Sequence, residues 1–279
     1  MSIQVTAHPA TARLIKAFLG GLQPPPELTV SQWADGYRFL SPEASAEPGK
    51  WNTERAPYQR GIMDAITDPN VSRVACIKGA QVGWTEVINN VCGYYIHQDP
   101  APLLVIQPTE AMAATWSKDR LTPMLRDTPV IRNRVREAKS RDSGNTIQQK
   151  VFDGGRITII GANAPSQLAS RPIRIVLADE VDRYPLNAGR EGDPLALAAK
   201  RQTTFWNRKT LIGSTPTLKG VSVIEREWLQ SDQRRYFVTC ADCGHAQHLR
   251  WQQVVWDKSE GGEHRPETAR YVCVGCGVP

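Results

Sequence analysis

The chain has 279 residues, with 34 Lys or Arg against 28 Asp or Glu, a formal net charge of +6 and a pI near 9.1. An apolar share of 41% and a charged share of 22% suit a globular protein long enough for one large domain with attachments, or for two domains. No apolar run reaches the roughly 18 residues of a membrane span, and residues 1–22 lack a signal-peptide layout, so the expected protein is soluble and intracellular.

Residues 1–50 read as an N-terminal helical arm. A short helix is expected over Thr11 to Leu22, ended by Gly20-Gly21, and Pro24-Pro25-Pro26 is a stiff spacer. Ser31 is the expected cap of a helix from Gln32 to Leu40, with Trp33 and Tyr37 on one face, and Ser41-Pro42 stops it. Further on, Tyr58 and Gln59 offer an aromatic ring and an amide ahead of the first strand, a pairing able to recognise adenine.

Residues 51–235 alternate short apolar runs with helical stretches. The runs Val71–Ile77, Pro102–Ile106, Ile157–Ile160, Ile173–Leu177 and Thr210–Ile212 are rich in Ile, Val and Leu without polar alternation, the signature of parallel strands covered on both faces. Helices are expected over Thr85–His97, Glu110–Arg126 and Pro194–Gln202. The fold class expected is therefore α/β, a mostly parallel sheet flanked by helices, with ligands at the carboxyl ends of its strands.

The first such end carries Lys78-Gly79-Ala80-Gln81-Val82-Gly83-Trp84-Thr85. A nucleoside triphosphate needs converging backbone N–H groups, a helix N-terminus, a cation and a hydroxyl for Mg²⁺, and this segment can supply all four. It departs from G-x-x-x-x-G-K-[ST], since Lys78 stands at the first glycine and Trp84 at the usual lysine. A lysine entering from the opposite end of the loop can still bring its ammonium to the phosphates; the alternative is a plain strand–turn–helix connection. Gln107-Pro108-Thr109 closes a second strand in the same manner.

Between Lys118 and Asp142 lie eight Lys or Arg against four Asp or Glu, and Arg132, Arg134, Arg136, Lys139 and Arg141 crowd together. The cluster could neutralise nucleic-acid phosphates or simply form a solvated face. Arg171 and Arg174 precede the run Ile175 to Ala178, which delivers Asp179 and Glu180 to a strand end. Asp179 would hold Mg²⁺, Glu180 would polarise the attacking water, and Arg171 is a candidate for stabilising phosphoryl-transfer charge in cis or across a subunit boundary. Adjacent strand residues point to opposite sides, which would separate the two carboxylates. Ser214 and Thr215, in Gly213-Ser214-Thr215-Pro216, stand at a third strand end where they could sense the γ-phosphate.

Residues 236–279 hold two pairs, Cys240-x-x-Cys243 and Cys273-x-x-Cys276, 29 residues apart, with Gly244 and Gly277 following. Two such knuckles complete a closed tetrahedral Zn²⁺ site, structural rather than catalytic, in a small zinc-ribbon-like module; iron is the metal alternative. Trp251 and Trp256 are expected to supply a small core, and Cys76 and Cys92 to be core residues.

Together these segments resemble the large terminase subunits of tailed bacteriophages, closest to the lambda-type GpA branch. The resemblance runs through Leu28-Thr29-Val30-Ser31-Gln32-Trp33-Ala34-Asp35, Ser45-Ala46-Glu47-Pro48-Gly49, Ala56-Pro57-Tyr58-Gln59, the lysine-first loop, Asp179-Glu180-Val181-Asp182, the 213–216 turn and the cysteine knuckles, so it covers essentially the whole chain. It implies a P-loop NTPase of the ASCE type that hydrolyses ATP with Mg²⁺ and drives double-stranded viral DNA into a procapsid. Lys78 would contact phosphate, Asp179 hold Mg²⁺ and Glu180 activate water. The implied partners are a small terminase subunit, the portal protein and further copies of the chain in a ring, in the host cytoplasm. Family members carry a C-terminal nuclease domain; Pro279 follows the last cysteine by three residues, so cutting is not expected of this chain. The alternative is a nucleotide-inactive, zinc-stapled DNA-binding or scaffold fragment.

Overall fold

A computed structural model describes residues 10–11, 13–15, 18, 26–135, 145–168 and 171–279. The helix expected over Thr11–Leu22 lies largely outside these residues, as do Pro24, Pro25, Arg136, Lys139 and Arg141. The chain forms two compact units, Met1–Arg226 and Glu227–Pro279.

The first unit is built on six strands: β3 (Arg73–Ile77), β4 (Pro102–Gln107), β5 (Gln149–Phe152), β6 (Gly155–Gly161), β7 (Ile175–Asp179) and β8 (Lys209–Ser214). A two-stranded ribbon of β1 (Phe39–Leu40) and β2 (Gly49–Lys50) precedes them. The sheet order is β3-β8-β7-β4-β6-β5, parallel throughout except for the β5–β6 hairpin. The five expected strands all form. β5 is additional: Gln149-Lys150-Val151-Phe152 is short, polar at one end and pairs only along an edge, so it carries no buried run to betray it.

Side-chain alternation distributes the strands between two cores. Leu103 and Val105 of β4, Ile157 and Ile159 of β6, and Ile175 and Leu177 of β7 face one side, where they join Trp84, Val87, Ile88 and Val91. Leu104, Ile106, Ile160 and Val176 face the other, with Leu168, Leu197 and Ala198. Both faces being covered is why these strands read as unbroken apolar runs.

The helices used below are α1 (Val30–Tyr37), α2 (Arg60–Thr67), α3 (Trp84–His97), α4 (Glu110–Trp116), α5 (Thr122–Asp127), α6 (Pro194–Lys200) and α7 (Val223–Leu229). The cap of α1 is Thr29 rather than Ser31: Thr29 accepts from the Gln32 N–H and the Gln32 side chain answers the Thr29 N–H, a reciprocal capping box. The single helix expected over Glu110–Arg126 is interrupted by a π turn at Ser117–Leu121 between α4 and α5. Pro123 has no N–H for a bond back to Asp119, so the regular ladder cannot run through it.

Trp33 shows how the arm joins this unit. Its ring is fully buried, its Nε1 donates to His97 Nδ1 at 3.1 Å, and it lies on α3 at Gly93. A Cβ on Gly93 would sit 2.2 Å from the Trp33 ring. Gly93→Ala is therefore expected to cost about 1–3 kcal/mol by overpacking, read as a melting temperature lower by roughly 3–10 °C in calorimetry.

The second unit consists of two small ribbons, β9 (Val238–Thr239) with β10 (Ala246–Gln247) and β11 (Val254–Lys258) with β12 (His264–Tyr271), both antiparallel. Trp251 and Trp256 do not make the expected core: their rings lie 6.1 Å apart, but Trp251 is 73% exposed. Only Gln247 and Cys273 are buried in this unit. So few buried groups leave little hydrophobic stabilisation.

Candidate nucleotide and metal sites

The carboxyl ends of β3, β8 and β7 stand side by side. Ile77 pairs with Ser214, Gly213 pairs with both Cys76 and Asp179, and β8 lies between the loop strand and the acidic strand. The loop therefore opens beside the 213–216 turn, and the Lys78 N–H continues the ladder to the Ser214 carbonyl at 3.1 Å.

From there the Lys78 side chain reaches across β8 and its ammonium bonds the Glu180 carboxylate, with side-chain exposures of 8% and 17%. The second Glu180 oxygen accepts from the Thr215 N–H at 3.3 Å and Ser214 Oγ at 3.4 Å, and Arg183 Nε lies 3.9 Å away. One carboxylate thus ties together the loop, the acidic strand and the turn. Glu180 is not a strand residue: its φ of 51° and ψ of 51° are left-handed, a conformation that costs a non-glycine residue roughly 1–2 kcal/mol. This backbone turn, rather than strand alternation, aims Glu180 at Lys78.

Asp179 is the last residue of β7 and is 7% exposed. Burial pushes its carboxyl up; the Gln107 side chain, donating to Oδ2 at 3.1 Å, and the Lys78 charge oppose that only in part. Its Oδ1 is buried and has no hydrogen-bond partner. A buried carboxylate with an oxygen that no protein group satisfies fits a hard divalent cation as one ligand; Thr85, half-buried at the second position of α3, offers a hydroxyl as another.

Trp84 opens α3 and is 5% exposed. Its side chain turns inward over Gly213, where a Cβ would be 2.1 Å from the indole, so the residue in the usual lysine slot is a core residue. Gln81 and Gly83 adopt positive φ, at 59° and 73°, and give the loop its bend between Lys78 and α3. Ala80 lies within that bend. Tyr58 and Gln59, on a 3-10 turn at Pro57–Gln59, both donate to the Val82 carbonyl, at 3.2 and 2.8 Å, and so brace the loop from outside.

Asp182, the last residue of Asp179-Glu180-Val181-Asp182, has a structural part. It accepts from the Thr217 N–H and Oγ1 at 2.8 and 2.9 Å and from the Ile224 N–H at 2.8 Å, fastening the turn after β8 to the start of α7. Burial raises its carboxyl, but the donors from Ser222, Ile224 and Thr217 outweigh that and hold it below the ordinary value. These partners are far away in sequence, so no local signal announces them. Arg171 stands apart: it is exposed and lies ahead of β7, whereas Asp179 and Glu180 follow from that strand's other end. Arg174 is committed elsewhere, its guanidinium bonding both Asp99 oxygens and lying over the Tyr95 ring.

In the second unit the sulfurs of Cys240, Cys243, Cys273 and Cys276 all lie within 4.8 Å of one another. Cys240 to Cys276 is 3.9 Å and Cys243 to Cys273 is 3.8 Å, beyond a disulfide bond of about 2.05 Å but matching the edge of about 3.8 Å that a tetrahedron of ~2.3 Å Zn–S bonds requires. The two knuckles repeat one backbone pattern: Gly244 N–H to Cys240 O and Gly277 N–H to Cys273 O, both 3.0 Å. The Cys276 and Gly275 N–H groups hold the Cys273 thiol down, to about 6. The four sulfurs fit one Zn²⁺ with no open position.

The chain matches the family described as phage terminase large subunit gpA, ATPase domain, over residues 45–279. It belongs to that family. It is 30% identical over 258 residues to the terminase large subunit of Enterobacteria phage P21, covering 89% of this chain and 39% of that protein. To the terminase large subunit of Escherichia phage lambda it is 29% identical over 240 residues, covering 85% of this chain and 37% of that protein. This gpA-family chain thus spans about two fifths of the length of those relatives. In fold it is similar to the HK97 bacteriophage large terminase, with a TM-score of 0.56 at 12% identity over 72% of this chain and 42% of that one. The expected fold, a mostly parallel sheet flanked by helices, is thus shared with a phage large terminase, and the resemblance drawn from the motifs holds. Among its described residues, no helix is long and apolar enough to cross a membrane.

Proposed function

We propose that this gpA-family domain binds and hydrolyses ATP with Mg²⁺ and that the hydrolysis drives double-stranded viral DNA into a procapsid. The observation that carries the reading is the bond between Lys78, at the head of the loop, and Glu180, at the end of the acidic strand, which makes two motifs distant in sequence into one site. Backbone N–H groups of residues 79–83 and the Lys78 ammonium would bind the phosphates, and the Tyr58 ring and Gln59 amide the base. Asp179 and Thr85 would hold Mg²⁺, which when bound neutralises charge on the phosphate oxygens. A γ-phosphate competing for Lys78 would release Glu180 to accept a proton from the attacking water. Thr215 and Ser214, bonded to the same carboxylate, would carry the change to the 213–217 turn. Arg171, exposed and away from these carboxylates, fits a contribution to a neighbouring subunit in a ring better than one to its own site. The further partners are a small terminase subunit and a portal protein, and the setting is the host cytoplasm.

Isothermal titration of the chain with an ATP analogue and Mg²⁺ tests the nucleotide part: binding at micromolar to millimolar concentration is expected. Absence of binding at millimolar nucleotide would favour the nucleotide-inactive, zinc-stapled scaffold. For the DNA path the basic cluster is the candidate, with Arg132 and Arg134 held by the Arg126 and His97 carbonyls. Reversing charge at Arg132, Arg134 and Arg136 should weaken DNA binding and flatten its log–log salt dependence by about one per lost phosphate contact. Undiminished binding would remove the cluster from the path.

A further inference from the structure

We propose that Trp84 and Gln107 form a two-sided clamp that positions the Asp179 carboxylate for a divalent cation, with the indole N–H as its second donor. The inference rests on the nucleotide-site reading above and deepens it. The register explains why Trp84 arrives there. Asp179 is paired with Gly213 across β7 and β8, and Gly213 is paired with Cys76 across β8 and β3. Because Gly213 has no side chain, the indole can lie flat against it. The nearest ring atoms to a built Cβ are Cζ2 at 2.1 Å and Cε2 at 2.3 Å, and Cε2 is bonded to the indole nitrogen. The nitrogen-bearing edge of the ring therefore rests on the strand beside Asp179.

Trp84 Nε1 is buried without a hydrogen-bond partner, and so is Asp179 Oδ1. The two orphaned atoms belong to side chains that meet over Gly213, Trp84 lying on it and Asp179 paired with it. On the other side Gln107 already donates to Oδ2 at 3.1 Å. An ionised carboxylate has about four acceptor positions, so two neutral donors fix its plane and leave room for a metal. A lysine in the Trp84 slot would bring a positive charge to this carboxylate instead. With the loop's lysine moved to position 78, the slot holds a neutral donor that orients Asp179 without competing for the cation's place.

The test uses Mn²⁺ as the probe, with electron paramagnetic resonance reading free ion in the presence of a non-hydrolysable ATP analogue. Trp84→Phe keeps a ring over Gly213 and removes the donor; Gln107→Leu removes the opposite one. Each should weaken nucleotide-dependent Mn²⁺ binding about tenfold, the value of one hydrogen bond to a charged group. Analogue affinity in EDTA should stay at the wild-type value in both variants, while Trp84→Phe lowers the melting temperature as any truncation of a core ring does. The clamp is overturned if Mn²⁺ affinity is unchanged in Trp84→Phe, or if metal-free nucleotide affinity falls by the same factor as Mn²⁺ affinity, the result of a packing role alone. Wild-type protein that binds the analogue equally with and without Mn²⁺ removes the clamp but keeps the phosphate loop. Wild-type protein that binds no analogue at all removes the nucleotide reading and the clamp with it.

Discussion

Glu180→Gln is expected to lower ATP turnover by about two to four orders of magnitude while leaving nucleotide binding intact, because it would remove the proposed proton acceptor and keep the loop's backbone. Lys78→Ala gives the complementary result: turnover is lost and triphosphate affinity falls. The structure makes the two residues a pair, so their effects separate only through binding. In the unliganded protein the Lys78 ammonium sits on Glu180. Glu180→Gln frees that ammonium, and affinity for a non-hydrolysable analogue should hold or rise. Lys78→Ala leaves Glu180 with Thr215, Ser214 and the more distant Arg183. Its carboxylate then repels phosphate with only the exposed Arg183, 3.9 Å away, to offset it. Turnover measured with coupled phosphate release, and affinity measured with the analogue, resolve the two. Wild-type turnover in both variants would remove the site assignment.

Removing zinc is expected to unfold the second unit. Glu227–Pro279 has two buried residues and ribbons of two to eight residues, too little to hold a fold without a metal or disulfide. Structural zinc in small domains binds with an apparent free energy of about 10–16 kcal/mol near neutral pH, which here would be most of the unit's stability. One equivalent of zinc per chain is expected by elemental analysis. Hydrogen exchange after chelation should show loss of amide protection across Val238–Tyr271, with β3, β4, β7 and β8 still protected. Cys243→Ser should reproduce this without a chelator. The affinity should weaken as pH falls, since four thiols must be deprotonated to ligate. Retained protection over β11 and β12 in a metal-free protein would show that the ribbons stand by themselves.

The parts of this architecture that were readable in advance share a cause. β4 and β7 are buried on both faces, and such a strand is apolar along nearly all its length, so the run is visible in the chain. The cysteine knuckles were readable for a similar reason: the spacing within each pair and the following glycine are set locally, by one turn of backbone. β5 was hidden because an edge strand needs no continuous apolar run. The α4–α5 interruption was signalled by Pro123, but the proline's effect on a long amphipathic stretch is a matter of which hydrogen bonds the surroundings replace.

The motifs alone established what kinds of group are present: a glycine-containing loop with its lysine first, two carboxylates after a buried strand, hydroxyls after another, four thiols in two pairs. They also established the order of the strands along the chain. Which strands are neighbours came only with the sheet. Placing β8 between β3 and β7 is what lets Lys78 meet Glu180 and puts Trp84 on Gly213 beside Asp179. The left-handed backbone at Glu180 and the distant donors to Asp182 were likewise invisible. Local chemistry is written in consecutive residues, but the meeting of side chains up to a hundred positions apart depends on strand pairing, and pairing is decided by how the whole core closes.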